Sequence, residues 1–490
     1  MLLYDKDLLS VQEVRDLVER AKEAQKQLAE KTQEEVDKIV KSIAESGVRN
    51  AKRLGQLAHD ETGFGIAADK EIKNIFGSVG VYDRIKDIKT VGVIKRDETA
   101  GTYAVAVPVG VIAGLIPSTN PTSTVFYKSE IAIKAGNAIV FSPHPNALNC
   151  IVETVKVIRQ AIAEAGGNEN LVSCISLPTV QATDVLMSHP DISLILATGG
   201  SAMVRAAYSS GTPAIGVGPG NGPAYIEKSA DIENAVKCII DSKTFDNGTI
   251  CASEQSVICE DAMRDIVQKE MEKQGAYFLS VEEREKLGNF ILRSNGTMNP
   301  MIVGKSVQVI ADLAGISIPV DTKVLVADEN GVGRGHPYSN EKLAPILGFY
   351  TAPDYKGVCD RCTEILYYEG AGHTFIIHTQ NQEIIEYFAH RIPVSRFIIN
   401  SPGALGGIGA STGLMPSLTL GCGAVGGSAT SENVGPEQLY NLRYVAVGQK
   451  SLDQIRKEAN EAQIKPQTIN IDSKMIDEVI REIIKQFEAI

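Results

Sequence analysis

Between Phe126 and Ile195 short apolar runs alternate with longer amphipathic stretches, and this alternation constrains the fold more than any other feature of the chain. A helical pattern from Lys128 to Lys134 gives way to Ala138-Ile-Val-Phe141. The amphipathic stretch Leu148 to Ala165 is followed by Leu171-Val-Ser-Cys-Ile175. A short helical pattern, Gln181 to Met187, then leads to Ile192-Ser-Leu-Ile-Leu-Ala197. Strands that are apolar on both faces and separated by helices predict an α/β fold with a doubly wound parallel sheet. Such sheets hold ligands, nucleotides among them, outside the carboxyl ends of their strands.

The rest of the chain fits around that unit. Residues 8 to 60 read as helix, with Val11, Val14, Leu17, Val18 and Ala21 at helical spacing and Ser10 with Glu13 as a capping box. Tyr103 to Val107 and Val109 to Ala113 are β-rich runs separated by a proline. Further on, Val257 to Cys259, Met301 to Val303, Val324 to Ala327 and Ser395 to Asn400 read as strands. The 490 residues leave room for two or three domains. With 43% hydrophobic and 22% charged residues, an ordinary globular protein is expected. A net charge of −12 and the lack of a basic run argue against nucleic acid as a partner. No apolar run is long enough to span a membrane. The opening Met-Leu-Leu-Tyr-Asp-Lys-Asp is too short and charged for a signal core, so the eight cysteines are expected as free thiols in a reducing cytoplasm.

The chemistry concentrates in Lys243-Thr-Phe-Asp-Asn-Gly-Thr-Ile-Cys-Ala-Ser-Glu-Gln-Ser-Val257. Asp246-Asn-Gly248 favours a tight turn, because Gly accepts positive φ and Asp and Asn tolerate it. A thiol just past such a turn, Cys251, is either a nucleophile facing a cleft or a buried structural cysteine. In Pro117-Ser-Thr-Asn-Pro121 the proline holds Asn120 out of the α region, either as a turn residue or as an oxyanion donor. Phe141-Ser-Pro-His-Pro145 and Thr198-Gly-Gly-Ser-Ala-Met203 follow strands, and the second opens a helix whose N–H groups suit phosphate. Cys359-x-x-Cys362 is a single pair in a helical stretch, read as structural, and no metal site is expected.

These blocks, together with Ala207-Tyr-Ser-Ser-Gly211, Glu341-Lys-Leu-Ala-Pro345, Gly372-His-Thr374 and Ser417-Leu-Thr-Leu-Gly-Cys-Gly423, resemble the CoA-acylating aldehyde dehydrogenases, including the aldehyde dehydrogenase half of the bifunctional aldehyde–alcohol dehydrogenases. The resemblance covers roughly residues 10 to 450. It implies Cys251 as nucleophile, Asn120 and the Cys251 backbone N–H as oxyanion donors, and a role in the site for His373. For the dinucleotide it implies Ser142, Pro143, His144, Thr198, Gly199, Gly200, Met203, Gly218 and Glu341, the last on the nicotinamide ribose. Ser142 stands where hydrolytic members commonly place a ribose-binding Lys, and NADP stays open beside NAD. Val217 stands where they carry the Glu that activates water. Without that base the acyl-enzyme waits for a better nucleophile, the thiol of coenzyme A. The implied reaction converts a short aldehyde, acetaldehyde or propionaldehyde first, to its acyl-CoA. Succinate semialdehyde and sulfoacetaldehyde are alternatives because of Arg396; a hydrolytic enzyme and an inert scaffold are the rival classes.

The implied layout is a dinucleotide domain over 1–229, with 100–114 contributing to an oligomerisation flap, a catalytic domain over 230–425 and an oligomerisation segment over 426–456. A homodimer or homotetramer is implied. Residues 457–490 read as a polar linker and a helix with Met475, Ile476, Val479, Ile480, Ile483, Ile484 and Phe487 on one stripe, capped by Asp472 or Ser473. Such a tail either docks on its own domain or binds a partner. It resembles the encapsulation peptides of bacterial microcompartment cargo, which would make a shell or cargo protein a partner.

Overall fold

The computed structural model describes residues 5–293, 295–463 and 472–487. Two compact units result, one of residues 1–94 with 106–442, the other of 95–105 with 443–490. The first unit holds two sheets.

The three strands expected from the alternating pattern lie in a five-stranded parallel sheet, completed by Val111–Leu115 and by Ala214–Val217, which was not expected. Its order is Val172–Cys174, Ala138–Ser142, Val111–Leu115, Ile192–Thr198, Ala214–Val217. Chain order reverses beside the central strand Val111–Leu115, the kind of switch point where such sheets open a ligand crevice. From that strand the chain runs through Pro117–Asn120 into the helix Pro121–Lys134. Every residue of this helix is buried, which is why it lacks a polar stripe and only its second half reads as helical in the sequence. Its Lys128 ammonium donates to the carbonyls of Leu115 and Leu196, 2.8 and 2.9 Å away, tying together the ends of two neighbouring strands.

A crossover at 218–221 carries the chain from Ala214–Val217 to Gly222–Ile226, a strand inside a second, seven-stranded parallel sheet. Glu254–Glu260 is the central strand there, flanked by Gly222–Ile226 and Ile346–Ala352. Gly372–His378 and Val394–Ile399 lie beyond. The second sheet therefore begins before residue 230.

Several elements differ from expectation. The N-terminal helical stretch is two helices, Lys6–Ala29 and Gln33–Thr62. Asp5 caps the first, and the capping box is Thr32 with Glu35. Ser10 is interior and buried, bonded to Thr179, because its neighbours face the core. Met301 lies in a 3-10 turn, Pro300–Ile302, since the proline at its start favours a turn. Val111–Leu115 belongs to the five-stranded sheet. The strand that pairs with Tyr440–Ala446 is Thr102–Pro108, with Gly92–Asp97 on its other side. Cys359 and Cys362 lie in the helix Tyr355–Tyr368, both buried in an apolar cluster.

The second unit carries most of that three-stranded sheet and two helices, Leu452–Gln463 and Ser473–Phe487. Asp472 caps the latter, its carboxylate accepting from Lys474 N–H. Met475, Ile476, Val479, Ile480, Ile483 and Ile484 are all exposed. Residues 464–471 of the expected linker, and the Phe487 side chain, lie outside the described residues. Among the described residues no helix is long and apolar enough to cross a membrane.

Candidate active site

The nucleophile segment begins with a left-handed turn. Asp246, Asn247 and Gly248 have φ of 49°, 53° and 74°, the conformation that Asp, Asn and Gly tolerate and other residues resist. Ile250 and Ala252 then bury their side chains, while Cys251 between them is partly exposed. Packing on either side therefore holds a thiol that faces a cleft.

That cleft encloses about 240 Å³. It is walled by the strand ends and crossovers of the five-stranded sheet on one side and by the Cys251 segment on the other. Nine of the twelve candidate site residues line it: Asn120, His144, Thr198, Gly199, Gly200, Met203, Gly218, Cys251 and Glu341. Three do not. Ser142 is buried at a strand end with its hydroxyl bonded to that of Thr183 at 2.8 Å, and Pro143 is buried beside it. His373 lies behind the wall.

Gly220 explains how His373 and Cys251 come together. A Cβ placed on Gly220 would stand 1.9 Å from the Cys251 carbonyl oxygen and 3.1 Å from His373 Cε1. Only a glycine lets the crossover slip between them. Its N–H donates to Glu341 Oε1 at 2.9 Å, which aims that carboxylate into the cleft. Burial, followed by the charge of Glu369, pushes the Glu341 carboxyl up to about 8. The His373 ring pairs Nδ1 with the Thr374 hydroxyl at 2.9 Å, and Nε2 has no partner among the described residues. Burial, and then the Arg396 guanidinium, hold His373 far below its ordinary range, so it is neutral.

The thiol itself is pushed up to about 12, by burial first and then by Glu341 and Cys422, with Arg396 acting in the opposite sense. Arg396 is occupied: its guanidinium donates to the carbonyls of Gly421 (2.7 Å) and Gly372 (3.2 Å) and to Asn433 Oδ1 (3.3 Å). Val217, at the end of its strand, is buried and lines the cleft.

Asn120 is held by residues that carry no local motif. Its Oδ1 accepts from the Lys73 ammonium at 2.6 Å, and its Nδ2 donates to the Thr249 carbonyl at 3.0 Å. Lys73 and Lys70 both pair with the buried Asp246 carboxylate. Sequence reading missed the two lysines because the helix Ala67–Ile75 looks polar and solvated. The available signal was their spacing, i and i+3, which puts both on one face. Among the described residues no group of three His, Cys, Asp or Glu could hold a metal ion.

The aldehyde dehydrogenase family profile matches residues 5–327. The chain belongs to the aldehyde dehydrogenase family. A solved structure of a probable aldehyde dehydrogenase from Listeria monocytogenes is 61% identical, with TM-score 0.91 over 92% of this chain and 100% of that one. An acetylating aldehyde dehydrogenase from Geobacillus thermoglucosidasius is 50% identical, TM-score 0.90, over 92% and 99%. The bifunctional aldehyde-alcohol dehydrogenase of Escherichia coli is 45% identical over 89% of this chain and 50% of its own length. The chain thus spans about half the length of the aldehyde–alcohol dehydrogenases it matches. More distant solved structures, 28% identical with TM-score 0.80, are a propionaldehyde dehydrogenase from a Clostridium phytofermentans fucose utilisation microcompartment and one from Rhodopseudomonas palustris with bound CoA and an acylated cysteine. These relatives bear out the resemblance read from the motifs.

Proposed function

We propose that this member of the family oxidises a short-chain aldehyde, acetaldehyde or propionaldehyde first, to its acyl-CoA. The observation that carries the reading is the make-up of the cleft. The Cys251 thiol and the Asn120 carboxamide share it, and buried Val217 stands where hydrolytic members carry the water-activating Glu. The relatives' acylating names support the same conclusion.

In this reading Cys251 loses its proton and its sulfur attacks the aldehyde carbon. Asn120 Nδ2 and the Cys251 backbone N–H donate to the oxygen as it turns negative, each worth on the order of two to three powers of ten in rate. The carbonyl re-forms as hydride leaves the carbon, and Cys251 is left as a thioester. The CoA thiol then takes the acyl group and restores the cysteine. The dinucleotide supplies the hydride acceptor when bound. Its chain fits the open backbone here: a side chain at Gly200 or Gly218 would meet nothing within 4 Å, and Gly200 opens the helix Ser201–Ser209. Thr198, Gly199, Met203 and His144 complete that wall, Ser142 and Pro143, buried at the strand end, support it, and Glu341 receives the ribose hydroxyls. Neutral His373, behind the wall at Gly220, supports the crossover against the Cys251 segment and does not meet the substrate in this reading. An uncharged aldehyde is favoured because the Arg396 guanidinium is already bonded to Gly421, Gly372 and Asn433. The five-stranded sheet serves the dinucleotide, the seven-stranded sheet the nucleophile, and the three-stranded sheet pairs copies of the chain.

The exposed apolar face of Ser473–Phe487 supports a packaging role in a bacterial microcompartment, where a shell or cargo protein covers it. A reporter carrying 457–490 is expected to co-sediment with shells; a reporter that stays free removes this role.

The test of the activity follows reduced nicotinamide with each aldehyde and NAD, with and without CoA. Steady turnover that requires CoA and is lost in Cys251→Ala is expected. Steady turnover without CoA would make water the acceptor and overturn the acylating reading.

A further inference from the structure

We infer that Lys73 is a positioning residue for the oxyanion donor: its ammonium, anchored by Asp246, orients and polarises the Asn120 carboxamide. The inference rests on the proposed role of Asn120. Lys73 lies on the helix Ala67–Ile75, and its side chain is 2% exposed. An ammonium has three N–H donors and no acceptor. All three are used, on Asn120 Oδ1 (2.6 Å), Thr249 Oγ1 (2.9 Å) and Asp246 Oδ2 (2.5 Å).

Two consequences follow for Asn120. An asparagine amide can present either its oxygen or its nitrogen to a site. With Lys73 beside it, only the oxygen can face the lysine, so Nδ2 must face the Cys251 segment. One Nδ2 hydrogen goes to the Thr249 carbonyl at 3.0 Å. The other has only a long 3.4 Å contact with Thr119 Oγ1, which leaves it available to the cleft. The cation also draws electron density toward Oδ1, which strengthens the Nδ2–H groups as donors, as charge-assisted bonding generally does. Lys73 also bonds the Thr249 hydroxyl, two residues before Cys251, and so touches the segment that carries the nucleophile.

Asp246 makes the cation tolerable. Its carboxylate accepts from Lys70, Lys73, the Ile66 N–H at 2.6 Å and the Thr249 hydroxyl at 2.7 Å. The charged groups facing Lys73 are Asp246 from the nucleophile segment and Lys70 and Asp69 from its own helix. Burial brings the ammonium down to about 8 against the pull of Asp246, so the polarising charge is present at neutral pH and is lost in mild alkali.

The experiment compares full-length wild type, Asn120→Ala, Lys73→Met, Lys73→Gln and the double variant Asn120→Ala/Lys73→Met, using acetaldehyde, NAD and CoA from pH 6 to 10. Losing one charge-assisted bond is expected to lower kcat on the order of 10- to 100-fold in Lys73→Met, with KM changing less. In the Asn120→Ala background the same change is expected to matter by no more than about twofold. Lys73→Gln, which keeps a neutral donor, should recover part of the rate and lose the fall that the wild type shows above about pH 8. An equal loss in both backgrounds would make Lys73 merely structural and overturn the inference, while the oxyanion role of Asn120 stood. An unchanged kcat in Asn120→Ala would remove that role and the inference with it. If Lys73→Met fails to fold, Lys73→Gln against its own Asn120→Ala double decides in the same way.

Discussion

Replacing Asp246 by asparagine isolates what one buried charge contributes. Asparagine keeps the size of the side chain and tolerates the left-handed backbone, φ 49°, that Asp246 adopts. The substitution therefore keeps the shape while removing the charge and turning one accepting oxygen into an amide donor, whereas alanine would add backbone strain. Two ammonium groups, 3% and 2% exposed, would be left facing a neutral amide. Removing one partner of a buried ion pair costs about 3–5 kcal/mol, because the remaining charge is neither hydrated nor paired. The Arg264–Asp328 pair gives the contrast. Its partners are 37% and 44% exposed, and Asp328→Asn should cost less than about 1 kcal/mol.

Thermal unfolding followed by near-ultraviolet circular dichroism reads the difference. In a compact unit of this size a loss near 4 kcal/mol corresponds to a drop in Tm on the order of 4 °C for Asp246→Asn. The pH dependence has a definite sign. Burial raises the Asp246 carboxyl, but the charges of Lys73 and then Lys70 help bring it below its ordinary 3.8. A carboxyl depressed in the folded state stabilises above its unfolded value, and that contribution disappears as pH falls through the folded value. The gap between wild type and variant should be full at neutral pH and shrink below 3.8. A neutral-pH shift no larger than that of Asp328→Asn would refute the reasoning. The lysines would then be supported by water or by relaxation of the helix Ala67–Ile75.

Gly220→Ala forces a Cβ to 1.9 Å from the Cys251 carbonyl oxygen; turnover should fall by more than tenfold on the order expected for a displaced nucleophile, with far-ultraviolet circular dichroism unchanged. Cys251, held near 12 in the free protein, should be alkylated by iodoacetamide at a rate rising about tenfold per pH unit up to about pH 10. A plateau near pH 8 would show a thiolate already formed. Cys362→Ala, inside the apolar cluster of the helix Tyr355–Tyr368, should cost about 1 kcal/mol in urea unfolding and leave kcat unaltered. A large loss of activity there would mean that the Cys359–Cys362 pair is more than structural.

Most of the five-stranded sheet was legible because its strands are largely apolar on both faces; in the seven-stranded sheet Gly222–Ile226, Ala276–Phe278, Ile346–Ala352 and Gly372–His378 were not, since they are short or interrupted by glycine, proline or polar residues. The helix Pro121–Lys134 was half legible: burial on all sides removes the polar face that marks a helix. The N-terminal helices were merged because the break at Glu30–Thr32 contains no glycine or proline. The cleft residues could be named because each sits in a short block with its own turn chemistry, Asn120 before a proline and Cys251 after Asp-Asn-Gly. What holds them could not, since Lys70, Lys73 and Asp246 meet across more than 170 positions of sequence. Spacing within a segment carries no record of such a meeting.

That separation has a mechanical consequence. Asn120 follows the central strand of the five-stranded sheet, and Cys251 precedes the central strand of the seven-stranded sheet. Among the described residues no ladder hydrogen bond between strands fixes one against the other. The direct links include the Asn120 Nδ2 bond to the Thr249 carbonyl, the bonds of the Lys73 ammonium to Asn120, Thr249 and Asp246, and those of the Lys70 ammonium to the Thr119 carbonyl and Asp246. A change that weakens this buried charge should therefore loosen the geometry of attack along with the fold. Asp246→Asn accordingly ought to lose kcat even at temperatures well below its unfolding, and Asp328→Asn ought not.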